Sequence, residues 1–265
     1  QAARERWTAE WAHTLRDLVH AYDPGLDVYH NFAMGVANWS RAVSFDAAEA
    51  HDFLGGDFYG GRDEQLVVCK LMSNLSRRRP IEFMTTVTRD LTEHETLKSQ
   101  QEHDLLAFAA VAHHAAFLAI AAWDPDGAIN AAGLDIIRAS FERAAPYAPF
   151  LGGTPVEEVG VYFSSASKMS FADDGAILAQ LRTNGSTDYP HFHAVRGACA
   201  ALQQAHLPFG VITRKQLGAL NAYRAIVLPN VLRMDEEECA ALRAYVAGGG
   251  RLYASRLTSL AGTQG

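Results

Sequence analysis

Cysteine is scarce in this sequence, and its scarcity excludes one class of fold. The chain has three cysteines in 265 residues, and Cys69, Cys199 and Cys239 lie too far apart for a disulfide-stapled scaffold. Each falls in a helical pattern of apolar residues, so we expect three reduced thiols at buried or nearly buried positions. Reduced thiols favour a reducing compartment, and the sequence therefore predicts a cytoplasmic protein.

Long apolar runs and an excess of basic charge are also missing. No run approaches the roughly 18 consecutive apolar residues that cross a bilayer, and residues 1–7 lack the apolar core of a signal peptide. The formal net charge of −7 argues against nucleic acid or an anionic membrane as a partner. Neither a G-x-G-x-x-G nor a P-loop motif is present, and we expect no cofactor.

The clearest positive signal lies in residues 223–255, where a strand, a helix and a second strand follow each other closely. Residues 223–230 form a short apolar run that ends in a proline and an asparagine, which is typical of a strand buried on both faces. The acids of residues 235–238 suit the first turn of a helix, and the glycines of residues 248–250 suit its end. Such a unit predicts a right-handed crossover in a parallel sheet.

The same alternation of strand and helix runs through the first half of the chain. Four strands are predicted there, at residues 26–31, 53–59, 81–86 and 117–122. Helix starts are predicted by two pairs with capping-box spacing, Asp46 with Glu49 and Thr92 with Glu95. Helical periodicity predicts two sets of buried apolar side chains, namely Trp7, Trp11, Leu15, Leu18 and Val19 in the first helix and Leu105, Phe108, Ala109 and Ala112 in a later one.

Prolines and glycines between residues 146 and 153 predict a domain boundary. We therefore expect one domain in residues 1–150 and another in residues 151–265. Four consecutive βα units fit half of a (β/α)8 barrel, and the later strands fit a flavodoxin-like, doubly wound parallel sheet cut off after its fourth strand. The predicted fold class is α/β, and we expect the chain to be a piece of a longer protein.

Polar and aromatic side chains cluster at the predicted carboxyl ends of the first-half strands, where a barrel of this type carries its chemistry. Aromatic rings stack on the faces of sugar rings, while carboxylates and amides fix hydroxyl groups, so this mixture predicts a carbohydrate ligand. The candidate substrate-binding residues are His30, Asn31, Asp57, Tyr59, Trp123 and Asp126.

Several stretches, taken in order, resemble a known glycosidase architecture. They are residues 52–59, 80–86, 119–127 and 155–164, followed by residues 228–230 with 251–253. They resemble the carboxyl-terminal half of the catalytic barrel of a glycoside hydrolase, followed by the class I amidotransferase-like domain known in beta-galactosidases as the trimerisation domain. Hypothetical glycosyl hydrolase families and α-L-fucosidases are similar in this order. The resemblance implies a retaining glycosidase that acts on carbohydrate and forms a homo-oligomer.

The sequence departs from this family pattern at the catalytic carboxylates. Related galactosidases carry a nucleophilic glutamate at the end of the seventh barrel strand, whereas the matching strand here ends in Thr85 and Thr86, and Glu82 comes too early. The resemblance places the acid/base residue near a fourth strand that would precede residue 1. A glycosidase needs two carboxyl groups about 5–10 Å apart. Because only Asp57 stands at a strand end, with Asp126 in a turn, we expect this chain to be inactive alone.

Two other kinds of site fit the sequence less well. The helical histidines lack the spacing of a metal site, as the adjacent pair His113 and His114 shows, so we expect packed or surface histidines and no metal. Amidotransferase chemistry needs a nucleophilic cysteine on a strand-to-helix elbow, but Cys199 and Cys239 fall in mid-helix. A glycoside hydrolase, or the later portion of one, and a non-catalytic oligomerisation or carbohydrate-binding module remain as the two hypotheses.

Overall fold

The structure of the protein is a computed structural model that describes residues 2–31, 35, 38–89, 93, 95–121, 123, 126–169 and 189–263. The described helices are α1 (Ala2–Tyr22), α2 (Phe45–Glu49), α3 (Arg62–Leu75), α4 (Gln100–Ala112), α5 (Ala131–Ala144), α6 (Pro190–Gln204) and α7 (Glu236–Ala247). The described strands are β1 (Glu82–Thr86), β2 (Ala116–Ile120), β3 (Val159–Tyr162), β4 (Phe209–Ile212), β5 (Ala225–Pro229) and β6 (Arg251–Ser255). Short 3-10 helices occur at Trp39–Arg41, Ala145–Phe150, Ala166–Lys168 and Arg214–Ala222.

The first half of the chain forms part of a parallel barrel around β1. Strand β1 pairs with β2 in parallel register. On its other side, residues 54–58 run beside it, because Glu82 N–H donates to the Leu54 carbonyl at 3.0 Å and Phe58 N–H donates to the Met84 carbonyl at 2.8 Å. The prediction of a strand at residues 53–59 is therefore right in position, although the ladder is reduced to a single bridge at Asp57.

The prediction of a strand at residues 26–31 is wrong, although these residues do lie beside the next segment of the barrel. These residues are coil, but the Asp52 N–H donates to the carbonyl of Val28 at 3.0 Å. The Val28 N–H donates to the Asp52 side chain rather than to a strand carbonyl, so a ladder cannot propagate from this point. The four segments nevertheless lie in chain order around β1, as in half of a (β/α)8 barrel.

The second half is a four-stranded parallel sheet with the order β4–β3–β5–β6. Numbered within this half, the order is 2-1-3-4, which is the flavodoxin-like order that the sequence predicts. Helix α7 connects β5 to β6, which confirms the strand–helix–strand unit at residues 223–255. The glycines after α7 end it as expected, with Gly249 in the left-handed region at φ 95°. The chain is thus an α/β protein with a partial barrel followed by a doubly wound parallel sheet.

The two sheets are separate, but one hydrophobic core runs through both halves. Helix α3 lies between them and buries Val67, Val68 and Leu71 completely. The core joins these side chains to Phe83 of β1 and to Val211 of β4. Polar contacts also join α3 to the second half. Lys70 donates to the carbonyl of Phe209 at 2.6 Å, and its ammonium group lies 4.6 Å from the centre of the Phe209 ring.

Two predicted helix faces are wrong because small residues make the close contacts instead. Helix α1 buries Ala9 and Ala12, whereas Trp7 and Trp11 are more than half exposed. Helix α4 buries its residues His103, Ala107 and Ala110, whereas Leu105 is 47% exposed. Alanines allow backbones to approach closely, so the periodic pattern of large apolar residues does not identify the packed face here.

The capping box predicted for α2 is wrong, and the helix predicted to begin near Thr92 begins after Ser99 instead. Helix α2 begins after Ser44, whose hydroxyl accepts a hydrogen bond from Ala47 N–H, so Asp46 and Glu49 are not its cap. Thr92 lies outside the described residues. The capping box of α4 is formed by Ser99 and Glu102, each of which accepts a hydrogen bond from the other's backbone.

Candidate functional site

Three of the predicted site residues meet at the carboxyl end of the segment that runs beside β1. The Asn31 amide donates to the carboxylate of Asp57, and the backbone N–H of Asp57 donates to the Asn31 side-chain oxygen at 3.3 Å. The Tyr59 hydroxyl donates to the other carboxylate oxygen of Asp57 at 2.9 Å. Burial of the ring and this bond to Asp57 raise the pKa of Tyr59 well above its usual range. The network therefore presents a fixed carboxylate and a protonated phenol.

Two buried contacts hold these residues in register. The carboxylate of Asp52 accepts from Val28 N–H at 2.8 Å and from His20 at 2.9 Å, which anchors the segment that leads to Asn31. These bonds lower the pKa of Asp52 although its burial acts in the opposite direction. Gly55 allows the segment to lie against β1, because a Cβ atom there would fall 2.6 Å from the Cβ of Glu82. Glycine at this position therefore permits the close approach of the two backbones.

The network forms part of the wall of a cavity of about 760 Å³. Residues from both halves of the chain line it. From the first half come Asn31, Gly35, Asn38, Arg41, Val43, Asp57, Phe58, Tyr59, Gly60 and Glu64, and from the second half come Tyr189, Phe192, His193 and Arg196. Aromatic faces, hydroxyl and amide donors and two carboxylates thus converge in a space large enough for one or two sugar rings.

Solved structures show which known fold surrounds this cavity. The chain matches the α-L-fucosidase isoenzyme 2 from Paenibacillus thiaminolyticus with a TM-score of 0.70 at 18% identity, covering 93% of this chain and 35% of that one. It matches a β-galactosidase from Bacillus circulans sp. alkalophilus (TM-score 0.75, 14% identity, 96% and 39% covered). It also matches an exo-carrageenase GH42 from Bacteroides ovatus (TM-score 0.73, 12% identity, 99% and 39% covered). The chain has a glycoside hydrolase fold.

The likeness is one of structure and not of sequence. No protein-family model and no curated protein matches the sequence. The chain spans 35–39% of the length of the three glycoside hydrolases named above. At identities of 12–18% the likeness concerns the fold, so the activity of this chain depends on the side chains that line its own cavity.

The other three predicted site residues do not line this cavity. The ring of His30 stacks on Trp11 of α1 at 5.0 Å and meets His51 edge-on, so it packs beneath α1. Trp123 is 73% exposed and forms an isolated bridge with Ile129. The Asp126 carboxylate accepts from the N–H of Ala128 within its own turn. The tertiary structure therefore brings together Asn31, Asp57 and Tyr59 and leaves His30, Trp123 and Asp126 elsewhere.

The wall from the second half was missed by sequence reasoning. Phe192, His193 and Arg196 lie on the first turns of α6, about 135 residues beyond Asp57 in the sequence, and no local motif marks them. Glu64 was also missed, although it lies in the first turn of α3 and lines the cavity with Asp57. A signal was available for Glu64, because an acid just after a glycine-rich strand exit lies near the barrel rim.

Glu82 has a structural contact, as its early place in β1 predicts. The Tyr29 hydroxyl donates to its carboxylate at 2.7 Å. Burial, together with this bond, raises the pKa of Tyr29 far above its usual range. The end of the same strand is also filled, because Thr85 and Thr86 are buried and Lys98 donates to the Thr86 carbonyl at 2.6 Å. In the described part of the chain, β1 thus directs no carboxylate into the cavity.

The second half has no open amidotransferase site among its described residues. Burial raises the pKa of the Cys199 thiol to about 12, which disfavours the reactive thiolate. The crevice between the carboxyl ends of β3 and β5, where doubly wound sheets bind ligands, is filled by His191. Its ring accepts from Ser164 N–H and contacts the Pro229 carbonyl, both at 2.9 Å.

The described residues contain neither a metal site nor a membrane-spanning helix. No group of three or more histidine, cysteine, aspartate or glutamate side chains in the described ranges is arranged to hold a metal ion. His103 and His113 instead contact Ser140 and the Ala109 carbonyl, at 2.8 Å and 2.7 Å. None of the described helices combines the length and the apolar character that a membrane crossing requires.

Proposed function

We propose that this chain is the later portion of a retaining glycoside hydrolase, fucosidase-like or galactosidase-like, and that it supplies residues that position the sugar. The observation that carries the proposal is the Asn31–Asp57–Tyr59 network on the wall of the cavity. Each carboxylate oxygen of Asp57 has one protein donor and retains a lone pair for a sugar hydroxyl. Tyr59 and Tyr189 add aromatic faces on which a sugar ring can stack.

The catalytic acid and the nucleophile are assigned to a part of the natural protein outside this chain. Glycosidases place two carboxyl groups about 5–10 Å apart across the scissile bond. Asp57 and Glu64 are the carboxylates among the described cavity residues, and both oxygens of Asp57 are already held by Asn31 and Tyr59. A group held in this way suits binding of hydroxyls better than protonation of a leaving group.

The test measures turnover of aryl fucosides and aryl galactosides by the natural protein, in the longest form that its gene encodes. Asp57→Ala removes a charge-assisted hydrogen bond worth about 1.5–3 kcal/mol, so kcat/KM should fall roughly 10- to 150-fold. Asp126→Ala is the matched control, because Asp126 is an exposed carboxylate outside the cavity. Unchanged kcat and KM in Asp57→Ala would remove Asp57 from the site.

A non-catalytic carbohydrate-binding or oligomerisation module is the second candidate. It is favoured by the absence of a strand-end carboxylate on β1, which ends in two buried threonines. It is also favoured by the exposed apolar side chains of Trp7, Trp11 and Tyr253, which suit contacts between subunits of a homo-oligomer. Sugar binding in calorimetry without turnover, together with a reading frame that encodes no further βα units, would select this candidate.

A further inference from the structure

Two arginines, Arg41 and Arg196, line the cavity that contains Asp57. Arg41 is the last residue of the 3-10 helix that begins at Trp39, and Arg196 lies on α6. Within the part of the chain that the structure describes, neither side chain has an ion pair or a hydrogen bond. The Nε atom of Arg196 is moreover buried. A buried guanidinium donor without an acceptor is costly, so an anion in the cavity would stabilise it.

The two acids that line the cavity do not act as acceptors for these arginines. Both oxygens of Asp57 accept hydrogen bonds from Asn31 and Tyr59. The carboxylate of Glu64 lies against the backbone of Gly60, where a built Cβ atom would fall 2.0 Å from it. Among the described residues, no ion pair joins either acid to Arg41 or Arg196. His193 also lines the cavity.

We propose that Arg41 and Arg196 form a subsite for an anionic substituent of the bound sugar, a carboxylate or a sulfate ester. The planar guanidinium group donates two parallel hydrogen bonds to such an oxyanion, which a neutral sugar cannot accept. Arg41 belongs to the barrel half and Arg196 to the second half, so the subsite is complete only when both halves are packed together. The inference rests on the proposed function, because it assigns this cavity to carbohydrate.

The experiment compares anionic and neutral sugars on the natural full-length protein. Aryl galacturonide and 6-sulfated aryl galactoside are assayed beside aryl galactoside and aryl fucoside. Arg41→Met and Arg196→Met keep apolar bulk and remove the charge, and Arg138→Met on the exposed face of α5 is the matched control. We expect kcat/KM for the anionic substrates to fall about 10- to 100-fold in the two cavity variants. The value for neutral substrates should change less than about threefold.

Calorimetric titration with galacturonate, sulfated galactose, galactose and inorganic sulfate gives a second readout that does not depend on turnover. Arginine-dependent binding of the anionic sugars without any hydrolysis would support the subsite and overturn the hydrolase. Hydrolysis of neutral glycosides with no preference for anionic sugars in binding or turnover would overturn the subsite alone. Inorganic sulfate that binds as tightly as the sulfated sugar would overturn it too, because the arginines would then hold a free anion. Arg196→Lys, which keeps the charge, should recover part of the preference.

Discussion

His191 is fully enclosed at the carboxyl ends of β3 and β5, and both of its ring nitrogens are in use. One accepts from the N–H of Ser164, and the other contacts the carbonyl of Pro229, so the neutral ring fits this environment. Burial lowers the pKa of His191 from an ordinary 6.5 to about 4. The uncharged, hydrogen-bonded ring of His191 therefore occupies the crevice in which doubly wound sheets bind ligands.

This burial makes the free energy of unfolding depend on pH. Between pH 6.5 and pH 4 the unfolded chain binds a proton at His191 and the folded chain does not, so stability falls as pH falls through that window. We expect His191 to contribute a loss of about 2 kcal/mol between pH 7 and pH 5. Urea unfolding at the two pH values measures it. In His191→Gln, which preserves hydrogen bonding without a titrating ring, the loss should shrink by that amount.

A matched control separates His191 from the other histidines. His206 is exposed and has a positive φ of 55°, which asparagine tolerates. His206→Asn is therefore the histidine substitution to compare with His191→Gln. An equal pH dependence in His191→Gln and the unsubstituted chain would show that His191 is protonated in the folded state.

The segment of residues 52–58 is the element that positions the candidate site. It has almost no ladder of its own and depends on backbone bonds to β1, such as the one from Met84 N–H to the Gly56 carbonyl at 3.0 Å. Close approach of the two backbones is the condition for these bonds. The position of Asp57 in the cavity therefore depends on glycine at position 55.

Gly55→Ala tests this dependence. The new methyl group would lie 2.6 Å from the Glu82 Cβ and 3.0 Å from the Glu82 carbonyl oxygen, so the segment must move away from β1. We expect a loss of about 1–3 kcal/mol in urea unfolding, together with weaker sugar binding. Gly197→Ala on α6 is the control, because nothing lies within 4 Å of the added atom. It should stabilise the protein by roughly 0.5–1 kcal/mol. Equal stability of the two variants would contradict close packing at Gly55.

At the scale of the whole molecule, two sheets share one core. We propose that residues 1–150 and 151–265, although each has its own sheet, unfold together as one cooperative unit. The reason is that α3 packs against β1 of its own half and against β4 of the other. Contacts across the boundary also include Asn74, which donates to the Val211 carbonyl at 3.1 Å, and Lys215, which donates to the Leu75 carbonyl at 2.8 Å. Separation of the halves would expose this shared surface.

The positions of the tryptophans allow a direct test of whether the two halves unfold together. All four tryptophans, at positions 7, 11, 39 and 123, lie in the first half, so their fluorescence reports that half alone. Hydrogen exchange of the amides in β3 and β4 reports the second half. We expect the same urea midpoint from both, as for a single cooperative unit. Two separated midpoints would show that the halves are independent domains.

Most of the strands and helices, the doubly wound second half and the meeting of Asn31 and Tyr59 with Asp57 follow from the sequence alone. These features depend on local periodicity, on glycines and on the rule that parallel strands end at one rim. Only the tertiary structure decided that residues 26–31 stay in coil, that alanines form the packed face of α1 and that α6 completes the cavity. Such outcomes depend on contacts between residues far apart in the chain, for which single-sequence periodicity carries no signal. Asp57 and Arg196 line one cavity because the two sheets pack on a common helix.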